Sequence, residues 1–207
     1  MKVIDISMEI HEDMTVYKNK EEKRPTIEGI NRLSVHGSYE TLMTINLHTG
    51  THIDAPLHMM QEGATMETYG LERCITSCKV IDLTWVHHCI TDADLMNYTI
   101  EPGDTILFKT RNSREDAFDP EFVYLTKEGA AYLAEKGVNG VGIDALGIER
   151  AQANHESHRL LFESGAFILE GLRLKGVEQG EYDLIALPIK IKSVEASLVR
   201  AVLVQRD

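Results

Sequence analysis

Residues 48–58 read His48-Thr49-Gly50-Thr51-His52-Ile53-Asp54-Ala55-Pro56-Leu57-His58. His48, His52, Asp54, Pro56 and His58 all occupy even positions, so an unbroken strand would put them on one face. An unbroken strand is incompatible with a shared ligand, however. Four extended residues span roughly 13 Å, whereas the ligands of one cation stand about 2 Å from it. Gly50 tolerates the dihedrals of a bend that other residues resist, and Pro56 stiffens the exit. The segment thus calls for a strand ending in a tight, pinned turn, with imidazoles and a carboxylate pointing inward. A helical reading, as in His-Glu-x-x-His proteases, fails because Glu is missing at the second place and Thr-Gly-Thr is a poor helix interior. Imidazole nitrogen and carboxylate oxygen are donors suited to Zn²⁺, Mn²⁺ or Fe²⁺.

Around this segment the chain alternates strand and helix signals. Residues 3–6 read as a short strand, and the polar residues 10–34 as a long loop or flap. Residues 41–48 alternate, with Met43, Ile45 and Leu47 opposite Thr44, Asn46 and His48, which predicts a strand running straight into the His-rich turn. Residues 79–83 read as a clear strand, 104–109 and 166–170 as buried strands, and 140–144 as a strand ending in a carboxylate. Thr91 and Thr126 look like helix caps, and Gly137 like the stop of the second helix. Residues 154–163 read as a helix. Residues 182–191 and 197–204 read as late, paired strands with a turn near 193–196. Strands outnumber helices, so the expected class is mixed α/β (α+β). With 207 residues and no repeat or linker, one domain spanning 1–207 is expected.

A chain of this length can bury enough core to fold without staples, so a metal need not be structural. The formal net charge of −12 repels nucleic acid and acidic membranes on average. Cys74, Cys78 and Cys89 form no regular framework, which fits a reducing compartment. The start lacks a signal-peptide core, since Asp5 interrupts it, and no apolar run approaches the roughly 18 residues of a membrane span. Cytoplasmic is the expected location.

A second cluster lies downstream. Glu170 ends the apolar run Phe167-Ile168-Leu169, and a carboxylate at the end of a buried strand is costly unless paired or metal-bound; a salt bridge to Arg173 is the plain alternative. His155 and His158 stand three apart on the expected helix, where spacing alone does not link them to His48.

The segment 48–58 resembles the fingerprint His-x-Gly-Thr-His-x-Asp-x-Pro-x-His of the cyclase-like metal-dependent hydrolases, whose best-understood members are the bacterial kynurenine formamidases. Further stretches resemble that family in order along almost the whole chain: Asp5-Ile6-Ser7, Leu107-Phe108-Lys109-Thr110, Gly142-Ile143-Asp144, His158-Arg159-Leu160-Leu161, Ile168-Leu169-Glu170-Gly171-Leu172, Leu184-Ile185-Ala186-Leu187-Pro188 and Val199-Arg200-Ala201. The resemblance implies a swivelling β/β/α fold and a two-ion site of zinc, with manganese as the alternative. His48, His52 and Asp54 would hold one ion, and His158 and Glu170 the other, with Asp54 bridging. It further implies His58 as general acid or base, and a homodimer or homotetramer. Family members often carry aromatic-Pro-Gly-Asp in the N-terminal flap; here the place reads Tyr17-Lys18-Asn19-Lys20. Tyr17 is expected to pack against a small-molecule substrate.

The implied chemistry is amide hydrolysis by activated water, arylformamidase-like, with cyclic amides, esters or lactones as alternatives, and a non-catalytic metal-dependent binding protein as the rival from another class. Other features carry less. His87-His88-Cys89 are adjacent and point to opposite faces of a strand. Cys74 and Cys78 lack a second pair for a zinc ribbon. No Gly-x-Ser-x-Gly elbow or phosphate-binding glycine loop is present.

Overall fold

The computed structural model describes residues 1–114, 117–150 and 152–205. Thirteen strands are described: β1 (Lys2–Asp5), β2 (Thr26–Asn31), β3 (Glu40–Thr44), β4 (His52–Asp54), β5 (Ile75–Asp82), β6 (Cys89–Ile90), β7 (Thr105–Lys109), β8 (Tyr124–Leu125), β9 (Gly140–Ile143), β10 (Phe167–Glu170), β11 (Gly180–Ile185), β12 (Ala196–Leu198) and β13 (Val202–Gln205). The α-helices are α1 (Leu33–His36), α2 (Asp92–Leu95), α3 (Lys127–Lys136) and α4 (Glu156–Glu163).

Nine strands make one mixed sheet in the order β1-β13-β11-β5-β7-β9-β10-β4-β12. Its connectivity forces it to curl. Strands β12 and β13 are separated by only three residues, 199–201, a reach of about 14 Å. Yet β12 is an edge strand and β13 lies next to the opposite edge, which a flat sheet would hold roughly 34 Å apart at about 4.8 Å per strand. Only a sheet folded back on itself satisfies both. A backbone bond crosses the seam between the two ends of the sheet: Arg173 N–H, just past β10, donates to the C=O of Ile6, just past β1.

Both faces are covered, which explains why the central strands are continuous apolar runs. Alternate side chains go to different cores. Ile81, Ile106, Phe108, Val141 and Ile168 pack outward with Leu133, Leu161 and Phe162 of the helices. Val80, Leu107, Phe167, Leu169, Leu184 and Leu203 fill the inside of the curl. Helix α3 begins as expected at Thr126, whose Oγ1 accepts from Gly129 N–H, and stops at Gly137 with φ 68°. Thr91 forms a complete capping box with Asp94. The mixed α/β class agrees with the sequence. Among the described residues, no helix is long and apolar enough to cross a membrane.

Two expectations are corrected. The alternation at 41–48 does not lead one strand into the His-rich turn. Strand β3 ends at Thr44 and pairs with β2 in a separate hairpin, and every β3 residue is exposed. The expected flap at 10–34 therefore contains a strand. Likewise, 182–191 and 197–204 are not one simple pair. β11 ends at Ile185 and does pair with β13, but β12 pairs with β4, because the chain crosses the seam at 199–201.

Candidate metal and active site

The site is built where β4 meets β10. Their antiparallel register sets Glu170 directly opposite His52 and Ile168 opposite Asp54. Directly paired residues share a face, so His52, Asp54 and Glu170 all project from the helix-covered side, while Ile53 points into the inner core. Helix α4 lies over β10 and turns His158 inward with Ser157, Leu161 and Phe162.

The bend before β4 forms as the sequence requires. Gly50 has φ 76°. A side chain on Gly171, itself at φ 71°, would strike the Gly50 carbonyl, so the two backbones can approach only as glycine. Thr51 Oγ1 donates to Gly171 C=O at 2.6 Å and accepts from Met8 N–H at 2.8 Å. Beyond Asp54, a 3-10 turn over Pro56–His58 brings His58 back beside His48, with ring centroids 4.1 Å apart.

His48 Nδ1 lies 2.9 Å from Asp54 Oδ1. His52 Nε2 lies 3.5 Å from Asp54 Oδ1 and 3.5 Å from Glu170 Oε2. His158 Nε2 lies 3.5 Å from Glu170 Oε1 and 3.9 Å from Asp54 Oδ2. Ligands about 2.1 Å from a tetrahedral ion are separated by about 3.4 Å, so these spacings fit cation ligands. The hydrogen-bond pattern agrees. His52 and Asp54 are 0% exposed, yet His52 Nε2 and both oxygens of Asp54 make no hydrogen bond. Buried polar atoms without partners cost free energy, and a divalent cation would satisfy all three. The donor set and the orphaned atoms thus fit a metal.

The far edges of the same rings are occupied. His52 Nδ1 is 2.9 Å from Gly50 C=O, His48 Nε2 is 3.2 Å from Glu195 Oε1, and His158 Nδ1 is 2.5 Å from Glu149 Oε2. Electrostatics follow from this crowding. Burial opposes charge on His158, but Glu149, Glu170 and Asp54 outweigh it and push its pKa up to about 10. Burial also works against the Asp54 carboxylate, yet His52, His48 and His58 hold it far below the usual range. His58 goes the other way: burial, together with His48 and His158, lowers it to about 4.

A cavity of about 290 Å³ opens onto the group, lined by Tyr17, Lys23, His48, His58, His158 and Glu170 among others. Tyr17 is held edge-on by Phe118 and Phe122 at 5.6 and 6.3 Å. The altered flap motif takes its own path: Lys18 has φ 58° and Asn19 φ 50°. Proline, locked near −65°, cannot adopt the first value, and asparagine is among the residues that best tolerate the second.

Of the seven candidate residues, Tyr17, His48, His58, His158 and Glu170 line one cavity, and His52 and Asp54 lie buried behind it, against His48, His158 and Glu170. Glu170 accepts from Ile148 N–H at 2.6 Å and faces His52 and His158 instead of pairing with Arg173. Glu149 and Glu195 were not singled out. The only hint for Glu149 is a carboxylate closing the small, apolar stretch Ala145-Leu146-Gly147-Ile148. His87 and His88 are exposed, apart from every described group of ligand-like side chains.

Comparisons with known proteins agree with this geometry. Residues 4–150 match the sequence family described as "Putative cyclase". A kynurenine formamidase of Erythrobacter litoralis is 36% identical over 163 residues, 78% of this chain and 74% of that protein. A solved structure described as a "potential metal-dependent hydrolase with cyclase activity" is 48% identical, superposes with a TM-score of 0.94, and covers 100% of this chain and 98% of its own. Isatin hydrolase A of Labrenzia aggregata shares the fold at a TM-score of 0.87 with 22% identity, over 99% of this chain and 94% of that one. The extent of the family match, and a fingerprint that folds into one buried cluster, make this chain a member of the cyclase family.

Proposed function

We propose that this chain is a metal-dependent hydrolase that cleaves amide C–N bonds, arylformamidase-like, with cyclic amides as the related substrate class. The observation that carries the reading is the buried Asp54 carboxylate, without a well-formed hydrogen bond at either oxygen and ringed by His48, His52, His158 and Glu170 at ligand spacing. His48, His52 and Asp54 would hold one ion and His158 and Glu170 a second, with Asp54 between them. Zinc is the first choice of element and manganese the second. Bound there, the cations would lower the pKa of water and polarise a carbonyl oxygen.

The chain's own residues supply the rest. His58, neutral at pH 7, accepts the proton of the attacking water and passes it to the leaving nitrogen. Its ring packs against His48, inside the cavity. Tyr17, braced by two phenylalanines, presents a wall for an apolar or aromatic part of the substrate. The whole span 1–207 acts as one domain. The free cysteines suit a reducing, cytoplasmic setting. The exposed Ile27, Ile30, Leu33, Val35, Tyr39 and Leu42 of the β2–α1–β3 arm supply the contact of a homodimer or homotetramer.

The test is to purify the protein, quantify its metals and screen formyl-anilides, cyclic amides and lactones with and without chelator. Chelator-sensitive amide cleavage is expected. Preference for lactones would shift the reading to C–O bonds, and a metal-replete protein silent on every substrate would make it a binding module.

A further inference from the structure

Each imidazole of the metal cluster has its far nitrogen against an acceptor, but only at His158 is that acceptor a buried side chain. We propose that Glu149 is the positioning residue that aims His158 and so sets the affinity of the second cation, an inference that rests on the metal reading above. Glu149 is 4% exposed and His158 5%. Glu149 Oε2 stands 2.5 Å from His158 Nδ1, which assigns the hydrogen to that nitrogen. Nε2 faces Glu170 and Asp54, at 3.5 and 3.9 Å, and is the nitrogen whose proton a cation would displace. The carboxylate is itself fixed. Its Oε1 accepts from Ser157 N–H at 2.7 Å, in the first turn of α4, where the helix end favours negative charge. Ser157 Oγ in turn donates to Leu125 C=O at 3.0 Å. Ring, carboxylate and helix start thus form one rigid unit, and its outer partner carries a charge that makes the imidazole a stronger donor to metal.

A rival arrangement uses the same atoms. Glu149, His155 and His158 also lie close enough together to hold an ion directly, with His155 Nδ1 3.3 Å from Glu149 Oε2. His155, however, is half exposed, and His158 would then have to present Nδ1 in place of Nε2.

The experiment is competitive zinc titration of the metal-free full chain against a chromophoric chelator, with melting temperatures of the metal-free proteins measured alongside. Wild type is expected to bind zinc in two steps. Glu149→Ala should weaken one step by roughly a hundredfold and Glu149→Gln by roughly tenfold, because an amide oxygen still accepts from Nδ1 but brings no charge. The other step should be unchanged. His155→Ala should match wild type. Cobalt substitution gives a second readout: the visible spectrum of one site should change in both Glu149 variants. A purely structural role would lower the metal-free melting temperature without the graded loss of affinity. Wild-type affinities in Glu149→Gln and Glu149→Ala would overturn the proposal alone. An equal loss in His155→Ala would make Glu149 a direct ligand and also overturn it. A wild-type chain that takes up no zinc would overturn both this inference and the metal reading.

Discussion

The strand β4 and the arm β2–α1–β3 are neighbours in sequence and opposites in environment. In β4 every residue is buried, two of the three are charged or titratable, and the turn before it is pinned from both sides. In β3 every residue is exposed, Leu42 and Met43 included. Alternation predicts a strand over 41–48, and the donor-rich segment 48–58 reads as a pinned turn; the structure has a strand in each, β3 and β4. Alternation reports backbone conformation, whereas burial depends on what arrives from elsewhere in the chain. For β4 the arrivals are β10 and β12; for β3 only β2 arrives.

That contrast can be broken most severely at Asp54. Asp54→Ala should abolish both zinc binding and turnover. In wild type, zinc at about a hundred times its Kd adds roughly 2.7 kcal/mol, or about 5–11 °C in melting temperature at this chain length; the variant should show no such rise. An Asp54→Ala protein with full metal content would defeat the assignment. Next comes His58, which shares the cavity but is proposed to handle protons. His58→Ala should keep its metal, checked by elemental analysis, and lose roughly a hundredfold or more in rate. Metal loss in that variant would move His58 into the ligand set, since His48, Asp54 and His58 also lie within ligand reach of one another.

A separate effect is expected from pH on the metal-free protein. The His158 pKa rises from 6.5 to about 10 on folding, so its contribution to stability is complete below about pH 6.5 and disappears as pH rises through about 10. Asp54, shifted downward, has the opposite sign and loses its contribution only in acid, below the ordinary carboxylate range. The melting temperature should therefore fall between pH 6.5 and 10, and His158→Ala should remove most of the decline, with His48, whose pKa is also raised, supplying the rest. The arm should respond least. If the arm makes the proposed contact between copies, Leu42→Asp should give a monomer by sedimentation where wild type gives a dimer or tetramer, while changing stability of the isolated protomer by about 0.5 kcal/mol or less, as for other exposed positions. A large destabilisation of the monomer would show that the arm belongs to the core after all.

The same contrast explains what could be read in advance. Residues 79–83, 104–109, 140–144 and 166–170 were legible because strands covered on both faces carry apolar side chains at consecutive positions, with charged residues confined near their ends. Thr126 and Gly137 marked α3 because caps are local chemistry. The cluster at 48–58 was legible because its donors crowd into eleven residues that also need a bend. The exposure of β3 was not legible, since nothing in a five-residue alternation states whether a partner sheet exists. The seam at 199–201 was hidden for a related reason: an apolar run reads as one strand until two different neighbours, β4 and β11, claim its halves. Glu149 escaped because its partner His158 lies beyond an irregular turn in which Asn154 and His155 have φ 65° and 50°, a path that no periodic pattern predicts.

The register of β4 against β10 joins residues separated by more than a hundred positions, Glu170 resting opposite His52. A chain emerging from the ribosome therefore exposes His48, His52 and Asp54 long before their partners exist. It can assemble the proposed ligand set only after α4 and β10 have been made. Metal capture is in this way tied to the late, slow closure of the most distant contacts, and a truncated or stalled chain carries the fingerprint without the catalyst.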